Sequence, residues 1–492
     1  MCAQVSRHVR SGPSSLLEPV RGDRTTVLLP YPHWLNPGDN TWQIVAATLV
    51  GLMSLPGIAV LYGGLVQKKW VVNTMLMAFT AFSIVLLVWV LWAFNMAFGN
   101  PAHLGGSNPH SFFNNFIGHV HPAVSHFALQ NQEVLPEGTS IPFHYNQATF
   151  MYFQVVFAAI TPLLFLGSVL GRMKFKAWLV FVPLWITCVY TVNAFLLWGG
   201  GYFAQKGAVD YSGGYVIHLA AGVTGFVAAW VIGPRLASDK RHGVPTNLLL
   251  VAVGAGVLWL GWNGFNGGDP FYAGADATAA VLNTNLATAA SLMTWLGMDM
   301  VFSKQRKPTF LGAVNGMIVG LVAITPGAGW VNGLGAILVG LIASSIVWVA
   351  WTYLPRIRPF SKVDDALGVV YTHGIAGFIG GLLVGFLADP GMLEYVGTGK
   401  AAPGFSVQGL FYTGSWHQVW EQFIAAVWVI VFTAVMSFIL LKIVQLVVGL
   451  REPDEVLETG DLAIHDEEVY PEPTFAERLG TARPVLEEAA TG

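Results

Sequence analysis

Long apolar stretches alternate with short polar ones along nearly the whole chain. Eleven such stretches fall at 43–66, 73–98, 149–170, 177–198, 215–233, 247–264, 278–301, 310–326, 333–355, 369–388 and 418–448. Coiled as a helix, about 17 to 25 apolar residues match the hydrocarbon thickness of a bilayer. The pattern predicts an all-α integral membrane protein with eleven transmembrane helices. The eighth stretch is short and rich in glycine. The eleventh is longer than a bilayer requires and is expected to tilt or to project beyond it.

The polar segments carry a sidedness. Lys68 and Lys69 follow the first stretch, and Arg172, Lys174 and Lys176 follow the third. Arg235, Lys240 and Arg241 follow the fifth, and Lys304, Arg306 and Lys307 follow the seventh. Arg356, Arg358 and Lys362 follow the ninth, and Lys442 and Arg451 lie near the end of the eleventh. The opposite loops hold only Lys206 and Lys400. Positive charge stays on the cytoplasmic side, so the N-terminus is expected outside and the C-terminus inside. Arg7, Arg10, Arg21 and Arg24 in the first forty residues run against this rule; the five internal loops decide it.

Composition agrees with the pattern. Only 10% of residues are charged, against about a quarter in soluble domains. The net charge of −3 and the dispersed basic residues argue against a nucleic-acid partner. Cys2 and Cys188 offer no disulfide framework, and Cys188 reads as a small packing residue. The segment before the first stretch has no apolar core of the kind a secretory signal needs. Three regions are expected: an extracytoplasmic tail over 1–41, a helical domain over 42–450 with a long external loop at 99–147, and an acidic cytoplasmic tail over 451–492.

An odd number of crossings with opposed termini suits two inverted five-helix repeats plus a long eleventh helix. Val72-Asn73-Thr74 opens the second stretch, and Leu282-Asn283-Thr284 opens the seventh. Tyr215-Val-Ile-His218 lies in the fifth, and Tyr371-Thr-His373 in the tenth. Such repeats place a binding site near the membrane midplane, where the halves meet. An Asn-Thr pair is common enough that chance is the competing explanation.

The candidate chemistry is sparse. Of thirteen histidines, only His218 and His373 fall within apolar stretches. Ionisable groups inside a membrane are costly and mark function. A lone histidine would read as a helix contact closed by a backbone carbonyl; a matched pair reads as a site. Mid-stretch there is no Asp, Glu, Lys or Arg. A bare cation crossing such a core faces a desolvation cost on the order of tens of kcal/mol in the idealised limit. A solute able to shed a proton avoids that cost, and histidine can take the proton near neutral pH. Asp210 precedes the fifth stretch and suits a helix cap, or recruitment of a cation. Trp198 closes the fourth and suits an interfacial belt or a cation–π contact. No nucleophile–base pair or metal motif stands in the stretches, so neither an enzyme nor a bound cofactor or metal is expected. Six histidines in the loop at 99–147, among them His103 and His144, match no tight metal spacing.

Longer motifs name a family. Pro56-Gly57 through Tyr62-Gly63-Gly64 precedes Asn73-Thr74. Asp210-Tyr-Ser-Gly213-Gly214 leads to His218, Ala221-Gly222, Gly225, Gly233 and Arg235. Gly261-Trp262-Asn-Gly264-Phe265-Asn266-Gly267-Gly268 and His373-Gly374-Ile-Ala-Gly377 complete the set. Over about residues 39–470 the chain resembles the ammonium transporter and Rhesus protein family, on its ammonium transporter side. The resemblance implies a homotrimer in the cell membrane with one pore through each subunit, serving nitrogen uptake. It makes Phe157 and Phe265 the stacked rings of an outer gate. It makes Trp198 a vestibule residue facing ammonium rather than a belt residue. It makes His218, His373 and Trp262 the pore lining, and Asp210 a structural or recruiting carboxylate. Asp269 stands where the family commonly has serine; it either strengthens cation binding or turns the chain before Pro270.

The tail from Arg451 holds twelve Asp or Glu against three Arg and is broken by prolines. Its nearer part, to Tyr470, resembles a regulatory tail that answers to PII-type nitrogen signalling proteins; a solvated acidic tail with no partner is the plain alternative. Two rival functions remain at this point. An ammonium sensor would need an added signalling domain, for which this tail leaves little room. A Rhesus-type neutral gas channel fits poorly with Trp198 and the motif of the fifth stretch.

Overall fold

The computed structural model describes residues 33–106, 108, 110–123, 133–134, 143–241, 245–393 and 406–470. Ten helices among them are long and apolar enough to cross a membrane. They are α1 (Pro37–Leu65), α2 (Lys68–Phe98), α3 (Gln147–Val169), α4 (Phe175–Lys206), α5 (Gly214–Ile232), α6 (Leu248–Gly267), α8 (Phe310–Gly327), α9 (Gly333–Arg356), α10 (Val370–Leu387) and α11 (His417–Val447). Between α6 and α8 lies α7 (Ala275–Phe302), a helix of 28 residues. The first helix begins at Pro37, ahead of the expected 43. Most of the N-terminal tail and the end of the acidic tail lie outside the described residues. In the long loop between α2 and α3 a short antiparallel pair, β1 (Glu133–Val134) and β2 (Phe143–Asn146), leads into α3.

The expected seventh crossing is a long helix that falls short of the other ten in apolarity. The physical reason is visible in its partners. Asn283 donates to the carbonyls of Ala328 and Val331, Ser291 to that of Gly316, and Asn285 to the side chain of Asn263. These polar groups lower its hydropathy but are satisfied inside the protein, against α8, α9 and α6.

Five helix starts are fixed by short polar side chains just outside the apolar run. Asn36 caps α1 ahead of Pro37, Asn146 caps α3, Asn247 caps α6, Thr309 caps α8 and Asn332 caps α9. Each accepts amide hydrogens that the first helical turn leaves without partners. Within the helices, wider π turns interrupt the α geometry. One at Met53–Ile58 contains Pro56, which lacks an amide hydrogen. Two others hold the paired histidines, at Gly214–Leu219 in α5 and Val370–Ile375 in α10. Such single π turns concentrate at functional positions.

The centre of the fold is the crossing of α5 and α10. A Cβ on Gly222 would run into the backbone of Gly374, and one on Gly377 would stand 3.2 Å from the Cβ of His218. Gly222 faces Gly374, while Gly214, earlier in α5, faces Gly377, later in α10. The two helices therefore run antiparallel at their contact. Bare glycines let the backbones approach closely enough to bring two histidine side chains together.

The tail folds back onto the end of the bundle that the basic loops mark. Lys174 donates its amide to Leu450, Glu452 to Arg172, and the Arg451 guanidinium to Pro234. Two short helices follow, α12 (Asp454–Thr459) and α13 (Asp461–His465). Leu457 is fully buried. The Asp461 carboxylate accepts the amides of Val72 and Asn73, and His465 bonds the side chain of Asn73. The first half of the acidic tail is thus a docked element of this same chain. Burial pushes the Asp461 carboxyl up to about 6, against the pull of those amides.

The α5–α10 crossing predicts that Gly222→Ala lowers the thermal unfolding midpoint of the detergent-solubilised protein, because overpacking costs about 1–3 kcal/mol of stability. Gly256→Ala, where an added Cβ meets no atom within 4 Å, is expected to leave the midpoint unchanged or slightly raised.

Candidate functional site

Six of the eight residues singled out in the sequence meet in one continuous stack. Phe157 comes from the middle of α3, about three turns in, and Phe265 from the end of α6. Their ring centroids lie 4.5 Å apart with planes at 33°. Trp198, at the break within α4 that follows Leu197, stands edge-on to Phe157 at 6.3 Å. Below the pair, Phe265 lies 5.0 Å from Trp262 and 5.9 Å from His218. His218 stacks on Trp262 at 5.3 Å and 17°. His373 follows, its Nδ1 3.2 Å from the Nδ1 of His218. Phe157, Phe265, Trp262, His218 and His373 are all buried; Trp198 is partly exposed.

The Nδ1–Nδ1 contact constrains protonation. One nitrogen must donate and the other accept, so the two neutral rings adopt opposite tautomers at this contact. The Nε2 of His218 is buried and has no hydrogen-bond partner. The Trp262 indole donates to the Thr325 hydroxyl at 2.9 Å, and Thr325 donates on to the carbonyl of Leu321. That chain fixes the indole plane against His218 and leaves the face of the ring toward the stack.

Asp210 lies outside this stack and acts on its frame. Its carboxylate accepts the amides of Gly213, Tyr215 and Val216, at 3.2, 2.9 and 2.9 Å. Its own carbonyl accepts from the Trp198 indole at 2.6 Å. One residue thus starts the helix that holds His218 and holds Trp198 over the outer rings. Burial pushes its carboxyl up to about 6, while the amide bonds pull it down. Gly213 reaches this geometry with φ of +109°, a conformation costly for residues with a Cβ.

Asp269 is buried in the turn after α6. Residues that the sequence reading passed over hold that turn. Gln43 donates to Gly268, Trp42 to Gly267, and Asp39 accepts from the amide of Ala273. Thr325 was also passed over. Its signal was a polar residue beside Pro326 inside an otherwise apolar run. In the loop between α2 and α3, His121 bonds Asn95 and His144 faces the carbonyl of Trp34; His126 lies outside the described residues. Among the described residues no group of three metal-ligating side chains gathers.

A cavity of about 580 Å³ opens on the far side of the histidines from the phenylalanine pair. His373 lies at its inner end, with Tyr62, Trp351 and Tyr371 on its walls. Arg235, Asp239, Asp364 and Asp365 line it from the loops after α5 and α9. Burial opposes the charge on Asp364, but its bonds to Arg235 and the nearby Arg172 hold its carboxyl well below the usual range.

A stacked pair of buried phenylalanines, two buried histidines in contact and a cavity beyond them, set among helices long and apolar enough to cross a bilayer, are the features of a multi-pass membrane protein. The chain belongs to the Ammonium Transporter Family, which it matches over residues 41–470. It is 46% identical over 459 residues to ammonium transporter 3 member 1 of Oryza sativa subsp. japonica, covering 89% of this chain and 88% of that one. It is 44% identical to ammonium transporter 2 of Arabidopsis thaliana, covering 89% of each. Among solved structures it resembles Saccharomyces cerevisiae Mep2, with a TM-score of 0.72 and 28% identity over 86% of this chain and 89% of that one.

The cap at Asp210 is expected to be separable from its charge. Asp210→Ala should lower the unfolding midpoint of the detergent-solubilised protein, corresponding to about 1–2 kcal/mol of stability, the usual loss for a cap. Asp210→Asn keeps an oxygen for the amides and should recover most of it. Equal losses in both variants would show that the charge, not the cap, carries the effect.

Proposed function

We propose that this protein carries ammonium across the cell membrane by separating it into ammonia and a proton inside the chain. The reading rests on one observation: two buried, hydrogen-bonded histidines form the polar link of a path otherwise walled by Phe157, Phe265 and Trp262. Ammonium gathers outside, near Trp198, with Asp210 and Asp269 supplying negative charge to the vestibule. The Trp198 ring face favours a cation by about 0.5–2 kcal/mol, depending on desolvation. Between the phenylalanine rings and the inner cavity, no charged side chain among the described residues offsets the desolvation of a cation. Ammonium meets that barrier by giving up its proton; ammonia then crosses as a small neutral molecule.

The histidine pair provides a route for the proton. His218 Nε2 is free to accept, the Nδ1 contact passes a proton to His373, and His373 borders the inner cavity. Potassium, similar in size, has no proton to lose and is excluded. In this reading all eleven long helices cross the bilayer, as inverted repeats, with the N-terminus outside. Three subunits assemble, and the docked tail presents the cytoplasmic surface at which a PII-type regulator would act.

The test is a current measurement on purified protein in liposomes adsorbed to a solid-supported membrane. A transient on adding ammonium, smaller or absent with methylammonium and absent with potassium, is expected. His218→Ala combined with His373→Ala should reduce the ammonium peak by about tenfold or more, equivalent to at least roughly 1.4 kcal/mol of barrier. An unchanged current in that double variant would sink the proton relay.

A further inference from the structure

Two features recur along the path. Asp210 stands eight residues before His218 and Asp365 eight before His373, and each accepts the amide five residues further on. Ile160-Thr161-Pro162 in α3 likewise returns as Ile324-Thr325-Pro326 near the end of α8. Both threonines are fully buried. Each hydroxyl donates to the carbonyl four residues back, Thr161 to Phe157 and Thr325 to Leu321. That spends the one hydrogen a hydroxyl has and leaves its lone pairs. At Thr325 they accept the Trp262 indole at 2.9 Å. Among the described residues no indole bonds Thr161, so the two threonines differ in that partner.

The turn at Thr325 also holds the start of α5, but through its backbone. The helix α8 closes in a tighter turn over Thr325–Gly327. The carbonyls of Thr325 and Pro326 accept the amides of Ser212 and Tyr211, both at 3.1 Å. Those two residues lie between Asp210 and Gly213, in the segment that leads to His218. A Cβ on Gly214 would run into the Pro326 ring. Backbone bonds survive a change of side chain; the bond to Trp262 does not. Beyond its bond to Leu321, which Thr161 matches, the side chain of Thr325 therefore has one separable task.

That task concerns the wall of the path. The Trp262 indole is fully buried, stacks on His218 at 5.3 Å and 17°, and lies 5.0 Å from Phe265. Ring stacking supplies no single directional bond and leaves a ring room to slide and turn. A hydrogen bond at the edge of the ring removes that freedom. Without its acceptor the buried N–H carries a desolvation cost, and the indole turns to relieve it.

We propose that Thr325 is a specificity-determining residue: its hydroxyl holds the Trp262 indole at the width that passes ammonia and turns away an amine larger by one methyl group. Thr325 acts through Trp262 and is a positioning residue. This rests on the reading of the chain as a transporter that carries ammonia past His218.

The test compares peak currents for ammonium and methylammonium on one proteoliposome preparation of each variant, on a solid-supported membrane. Their ratio does not depend on how much folded protein is present, so a purely structural loss leaves it alone. No ammonium current in wild type would overturn the underlying reading; equal currents for both amines in wild type would overturn only the proposal. Thr325→Val keeps the shape and removes the acceptor. It should raise the methylammonium-to-ammonium ratio about fivefold, inside the roughly 10–200-fold that one extra carbon is worth in a fitted pocket. Thr325→Ser restores the hydroxyl and should return the wild-type ratio. Thr161→Val loses the matching bond to a carbonyl and should keep the wild-type ratio, whatever its total current. An unchanged ratio in Thr325→Val, no current to either amine in the folded variant, a raised ratio in Thr325→Ser or an equal rise in Thr161→Val would each overturn the proposal. Should Thr325→Val fail to fold, Thr325→Cys, whose thiol accepts only weakly, is read by the same criteria.

Discussion

Two helices that cross backbone to backbone set the geometry on which this molecule depends. Gly222, Gly374 and Gly377 remove the side chains that would hold α5 and α10 apart. The consequence is a 3.2 Å contact between imidazole nitrogens in a region of no fixed charge. Everything nearby serves that contact. The π turns aim the histidines inward from helices whose starts are capped by Asp210 and Asp365. Trp262, fixed by Thr325, stacks on His218. The Phe157–Phe265 pair stacks on the other side of Trp262 and His218 from His373.

Much of this was legible in the sequence, for a physical reason. A bilayer demands long apolar helices, and it makes every interruption of them costly. His218 and His373 stood out because nothing else ionisable shared their environment. Phe157, Phe265, Trp198 and Trp262 were legible only through family resemblance, since aromatic residues are abundant here and periodicity does not say which ones stack. Trp198 illustrates the limit: its position alone suits an interfacial belt, yet its indole bonds the carbonyl of Asp210 and its ring meets Phe157.

What composition hid was polarity that the fold satisfies internally. The helix α7 reads as the least apolar of the long helices because Asn283, Asn285 and Ser291 bond neighbouring chain segments. The docking of the tail was hidden for a related reason. Its acidic character suggested solvation, but Asp461 is placed by two backbone amides at the start of α2, a partnership that charge counting does not reveal. Asp365 was hidden among the charged residues of a loop. Only its eight-residue distance from His373, the same as that from Asp210 to His218, marks it in the sequence.

In the proposed relay, the opposed tautomers of the two histidines give the path a direction in time. Once a proton enters at His218 Nε2, crosses the Nδ1 contact and leaves from the far nitrogen of His373, both rings are neutral again but each has exchanged its tautomer for the other. A second proton arriving at His218 would find its acceptor already occupied. Such a wire would have to be rewound between turnovers, by return of a proton or by rotation of both rings, and the stacking of His218 on Trp262 opposes rotation. The close packing around the histidines would thereby set how often the proposed relay can run.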